Sequence, residues 1–190
     1  MPRSDETLAR VHDLRVLVSA IQMYADEVLG SPHRLEGPSG VLRDHIELLA
    51  EVLRLWSLGE TDITQAPARP VDLRAVAFLA RVRHPGAFLT DSPAAVYAHV
   101  RPQPLLELLD LVIYWAAGDQ GRSRIEVQPQ PAGLSVSAME TRHLASDRED
   151  IELEGAIASM AAASRIEPLL DRAKRVALLQ VIDTEDGWDG

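Results

Sequence analysis

Apolar residues recur along the first part of the chain at steps of three and four: Leu8, Val11, Leu14, Val18, Ile21, Ala25 and Val28. That spacing is the buried seam of a bundle helix, and it predicts one helix from about Ser4 to Leu29. Ser4 or Asp5 caps it, and Asp5 and Glu6 suit the positive end of the helix dipole. Gly30-Ser31-Pro32 stops the pattern, and a loop rich in proline and glycine runs on to Gly40. The pattern restarts at Leu42, Ile46, Leu49, Leu53 and Trp56, which predicts a second helix from about Val41 to Leu58. A short connection favours an antiparallel hairpin. Two helices bury little by themselves, so a homodimer that joins two hairpins into a four-helix bundle is expected.

The texture then changes. Residues 61–70 are polar, with Pro67 and Pro70, and read as a linker. Leu73–Val82 and the strongly apolar Pro102–Ala117 read as helices. Arg124–Gln128 and Gly133–Ala138 read as strands, with Pro129 and Pro131 as turn material between them. Ile151–Ala163 is an Ala-rich helix, and Arg165–Leu170 with Arg175–Ile182 fits a closing hairpin. The expected class is α+β: a helical hairpin over residues 1–60, a linker over 61–70, and a small α/β sandwich over 71–190.

Composition narrows the chemistry. Of 190 residues 46% are apolar and only 4% aromatic, so the core must be aliphatic. The net charge of -10 repels nucleic acid and anionic membrane, which are therefore not expected partners. The absence of cysteine removes disulfides and thiolate metal sites, and the six histidines lack metal-ligand spacing. No apolar run approaches the roughly 18 residues of a membrane span. The polar start Met1-Pro2-Arg3-Ser4-Asp5-Glu6 is unlike a secretory signal, so a cytoplasmic location is expected.

His12 lies one residue off the seam, on the solvent-facing flank of the first helix. An exposed imidazole is a competent nucleophile near neutral pH, and Asp13 beside it can orient the ring or take its proton. Most such histidines are plain surface residues, and spacing alone leaves His12 one of them.

The stretch around it adds more. His12, Asp13, Leu14, Arg15, Val18, Ile21, Tyr24, Ala25 and Asp26 resemble, in register, the phosphoacceptor box of sensor histidine kinases. Leu53–Glu60 resembles the end of that family's second helix, and Pro70-Val71-Asp72-Leu73 the start of its ATP-binding domain. Leu105–Tyr114 resembles the helix that carries the family's asparagine motif. The departures are as informative. Glu107 and Leu111 stand where asparagines hold magnesium and phosphates. Met139-Glu140-Thr141-Arg142 stands where the family has Asp-x-Gly-x-Gly. Gly155 is the only glycine between Gly133 and Gly187, so the glycine-rich lid is missing too. Phosphate cradles need close backbone approach and hence glycine.

A histidine hairpin joined to a decayed nucleotide domain resembles the ChpT-type and sporulation-type histidine phosphotransferases. The resemblance implies a dimer that relays phosphoryl groups between receiver-domain aspartates, without ATP or any cofactor of its own, magnesium sitting in the receiver. It implies catalytic roles for His12, Asp13 and Arg15, and receiver docking on Val16, Ser19, Ala20 and Met23. Val16 stands where the kinases position a water for dephosphorylation, so hydrolysis should be slow. The partners implied are response-regulator receivers and a hybrid histidine kinase. Two other readings stay open: a non-catalytic protein that binds a kinase or receiver, and an ATP-dependent kinase with divergent motifs. His33, His84, His99 and His143 read as exposed residues in loops or near element ends, and His45 as packing in the second helix. The acidic run Asp147–Glu154 reads as a solvated helix start.

Overall fold

The computed structural model describes residues 44–45, 47–52, 54–55, 67–90, 94–141 and 146–182. The chain divides into two units, Met1–Ala50 and Glu51–Gly190. In the first unit the described residues, 44–45 and 47–50, are helical, and half-buried His45 lies among them. The fold that follows is that of the second unit.

Its elements run β1 (Arg69–Asp72), α1 (Leu73–Arg83), β2 (Ala87–Leu89), β3 (Tyr97–Val100), α2 (Pro102–Ala117), β4 (Arg122–Pro129), β5 (Ala132–Glu140), α3 (Asp147–Ala163), β6 (Ile166–Asp171) and β7 (Val176–Val181). The class is α+β. Five strands form a mixed sheet in the order β2-β4-β5-β7-β6, parallel only between β2 and β4. β1 and β3 form a separate antiparallel pair.

Alternation builds the core. Ile125 and Val127 on β4, Leu134 and Val136 on β5, and Ala177 and Leu179 on β7 are buried, while Glu126, Ser135 and Leu178 between them are not. Three helices cover that face, with α2 between α1 and α3. α2 supplies more of the apolar core than any other element: Leu105, Leu106, Leu108, Leu109, Val112, Ile113 and Trp115 are all buried. Pro102 opens this helix, where its missing N–H costs nothing. Gly118 closes it at φ 76°, its N–H donating to the Tyr114 carbonyl at 2.8 Å. Gly121 then lets the chain turn back into β4. A Cβ there would lie 1.8 Å from the Ala117 carbonyl oxygen.

Several expectations need correcting. β2 and β3 were not foreseen: three and four residues are too few for a period to show. β1 takes in Arg69 and Pro70, at the end of the stretch read as linker. α3 starts at Asp147, four residues before the predicted Ile151. Arg165 and Arg175 are turn residues with φ of 55° and 51°, outside the strands they were assigned to. No helix among the described residues is long and apolar enough to cross a membrane.

Candidate functional site

His12, Asp13, Arg15, Val16, Ser19, Ala20 and Met23 all lie outside the described residues. What the structure does describe are the two elements compared above with a nucleotide site, α2 and the end of β5, and next to them the start of α3 and the β6–β7 turn.

α3 begins with a complete capping box. Ser146 Oγ accepts from Glu149 N at 3.4 Å, and Glu149 Oε2 accepts from Ser146 N at 2.7 Å and from its hydroxyl at 2.8 Å. The hydrogen bond from the Ser146 backbone, with that from its hydroxyl, holds the Glu149 carboxyl below the ordinary carboxylate value of 4.5. Asp147, Glu149 and Asp150 fill the first turn. A free helix N-terminus is an anion site, because its N–H groups point outward and its dipole is positive there. Here the first turn itself carries three carboxylates, whose charge opposes a further anion.

Asp150 is not part of a solvated helix start, as the acidic run suggested. It is 1% exposed. Arg175, on the β6–β7 turn, meets it with both terminal nitrogens, Nη1 donating to Oδ1 at 2.9 Å and Nη2 to Oδ2. Arg175 Nη1 also donates to the Trp115 carbonyl at 3.0 Å, and its guanidinium lies over the Trp115 ring. One turn further along α3, Glu154 accepts from Arg172 Nε at 2.8 Å and Nη2 at 2.6 Å, and from Trp115 Nε1 at 3.3 Å. The Arg172 hydrogen bonds are the main cause that lowers the Glu154 carboxyl below 4.5. Two arginines of one turn thus hold two carboxylates of α3 over the end of α2.

Beside this clamp lies an open depression of about 410 Å³, lined by Ala138–Thr141 of β5 and its end and by Arg172–Arg175. Its three cations are matched: Arg172 by Glu154, Arg175 by Asp150, and Lys174 by Asp171 at 3.4 Å. The lining therefore offers no surplus positive charge for a polyphosphate. On α2, Glu107 is exposed and accepts from Gln103 Nε2 at 2.9 Å, and Leu111 is half-buried.

His84 departs from the exposed reading. It is half-buried at the end of α1, its Nε2 3.0 Å from Asp110 Oδ1, while Arg83 donates to the other oxygen at 2.7 Å. His99 is exposed on β3, as its position suggested. At the other end of α1, Asp72 caps the helix and binds Arg74 through Nε at 3.0 Å and Nη2 at 2.7 Å, both side chains buried. Sequence reading missed the Arg172–Glu154 and Arg175–Asp150 pairs, because a bidentate pair between distant elements leaves no periodic trace. The capping box was missed as well, although Ser146-x-x-Glu149 has its spacing. Among the described residues no cluster of histidine and carboxylates is placed to hold a metal ion.

No protein-family profile matches the chain, and no curated protein does. Among solved structures, the histidine kinase AdeS of Acinetobacter baumannii is similar at a TM-score of 0.43 and 15% identity. That match covers 88% of this chain and 94% of the other.

Proposed function

We propose that the chain is a histidine phosphotransferase of a two-component phosphorelay, which passes a phosphoryl group between receiver-domain aspartates through His12. The reading starts from the pattern His12-Asp13-Leu14-Arg15 with Val18, Ile21, Tyr24, Ala25 and Asp26 in register. The single observation that carries its ATP independence is the first turn of α3. The Glu149 N–H there is met by the Ser146 hydroxyl, and the turn bears Asp147, Glu149 and Asp150. A triphosphate brought there would face three carboxylates of like charge. Exposed Glu107 adds a further like charge on α2.

In this reading a receiver docks on Val16, Ser19, Ala20 and Met23, with its phospho-aspartate in line with His12. A ring nitrogen forms a bond to phosphorus as the bond to the aspartate oxygen breaks. The carboxylate leaves, and Asp13 holds or takes the proton of the other ring nitrogen. Arg15 steadies the charge of the transferring group, and the receiver's own magnesium offsets it. The protein acts as a homodimer joined through its hairpins, in the cytoplasm, upstream or downstream of a hybrid histidine kinase.

The direct test of ATP independence is titration of the full chain with a non-hydrolysable ATP analogue and magnesium. No saturable binding is expected at millimolar analogue. Saturable binding would revive the kinase reading.

A further inference from the structure

The five-stranded sheet ends on one side in β6 and on the other in β2. β6 carries Glu167, Pro168 and Asp171, a proline and charges of the kind that discourage a further strand. β2, Ala87-Phe88-Leu89, carries neither. Its hydrogen bonds to β4 settle which of its backbone groups are used. Gly86 O accepts from Ser123 N at 3.1 Å, and Thr90 N donates to Ile125 O at 2.9 Å. Even-numbered residues therefore turn their backbone groups to β4, and odd-numbered ones turn them outward. Ala87 N donates to His84 O at 2.8 Å. Ala87 O and both backbone groups of Leu89 remain, outward and without a partner among the described residues.

The side chains at this edge divide by charge. Phe88 pairs with Arg124 in register and is 42% exposed. Glu140 stands opposite Arg122 in register, yet the Arg122 guanidinium lies over the Phe88 ring, 4.6 Å from its centroid, and so reaches toward the β2 edge. Arg122 and Arg124 are both exposed, and neither has an ion pair among the described residues. Arg172 and Arg175, by contrast, each hold a carboxylate of the chain's own. In a chain of net charge -10, two arginines on one strand without acids are charge left for another molecule. The far end of β2 has the opposite sign. There the Thr90 hydroxyl donates to Glu126 Oε1 at 3.4 Å.

We propose that the β2 edge takes an added antiparallel strand from another protein, an extended segment in which an apolar residue is followed by two acids at alternate positions. The apolar residue pairs with Leu89 and exchanges two backbone hydrogen bonds with it. The residue two further on donates its N–H to Ala87 O. The residue between them lies beside Phe88, on the face that carries Arg122 and Arg124. The residue beyond lies beside Gly86, which is level with Arg122. Carboxylates at these two positions meet the two arginines. Three backbone bonds are few, so the charged contacts decide the affinity. An acid on the other side of the apolar residue would lie beside Thr90 and Glu126 and be repelled, so the order of the segment is read as well as its charge. A second copy fits badly here, because pairing β2 with β2 would bring two Arg122 guanidiniums together. The proposal does not rest on the phosphotransfer reading.

The probe is a fluorescent peptide, Thr-Ile-Thr-Val-Glu-Thr-Glu-Thr, titrated with the full chain and followed by anisotropy. Saturable binding is expected. Replacing both glutamates by glutamine, or Arg122→Glu in the protein, should weaken binding about tenfold, the scale of one lost charge-assisted hydrogen bond. Arg122 is exposed, so the variant keeps its fold, which circular dichroism checks. Two methylated peptides separate strand addition from plain charge attraction without touching the protein. Methylating the valine nitrogen, which donates to Leu89 O, should abolish binding. Methylating the nitrogen of the next glutamate, which faces away from β2, should leave binding unchanged. No saturable binding, equal binding of the glutamine peptide or by Arg122→Glu, or the same result from both methylated peptides would overturn the proposal. Sedimentation with and without peptide tests the other occupant. A mass that falls on adding peptide would show the edge held by a second copy and would overturn it too.

Discussion

α2 and α3 are neighbours of almost equal length, sixteen and seventeen residues, yet different forces hold them. α2 buries ten of its residues, has no side-chain cap and carries no charge complementary to its dipole in either end turn. α3 buries only Asp150, Ile157 and Ala161. It makes up the deficit with a capping box, three acids at its positive end, and the two arginine clamps from the β6–β7 turn. Apolar burial is indifferent to pH and salt, whereas caps and ion pairs are not. The lesson is that one layer of this fold has a greasy half and an electrostatic half.

Four perturbations separate the two halves. Arg175→Ala leaves Asp150 buried without its partner and should cost about 3–5 kcal/mol in urea unfolding. Replacing both members by apolar residues of similar size should recover most of that loss. Leu109→Ala in α2 removes a fully buried side chain and should cost about 2–5 kcal/mol, with a loss that does not change between low and high salt. If the Arg175→Ala loss is equally unaffected by what replaces Asp150, the electrostatic account of α3 fails. Ser146→Ala should cost about 1 kcal/mol by removing the cap.

The fourth is acid. Glu149 and Glu154 are both held below 4.5 in the folded state. The unfolded chain therefore binds protons more readily, and their contribution is present above about pH 4.5 and lost as pH falls below it. Glu154→Gln should flatten that part of the pH–stability curve, while Leu109→Ala should lower the curve without changing its shape.

The same contrast explains what could be read from the sequence. The bounds of α2 were predicted as found, Pro102 to Ala117, because a long apolar run between a proline and a glycine carries its own punctuation. α3 was read four residues short, because its first turn is polar and the periodicity only begins at Ile151. β4 and β5 were placed from alternation but trimmed at both ends, where Arg122 and Glu140 pair across the strands without an apolar signal. β1, β2 and β3 were too short to show. At the site, Glu107, Leu111 and Glu140 were singled out by comparison with a motif. The Asp150–Arg175 pair was not, since 25 residues separate its members.

The central claim concerns His12, and one measurement tests it most directly. A purified receiver domain, phosphorylated on its aspartate with labelled phosphate, is mixed with the full chain and with His12→Ala. The account predicts rapid transfer of label to the wild-type chain, in an acid-labile and base-stable linkage, and none to His12→Ala. Label on His12→Ala at the wild-type level would contradict it. So would a wild-type chain that stays unlabelled across a panel of receivers yet takes label from ATP.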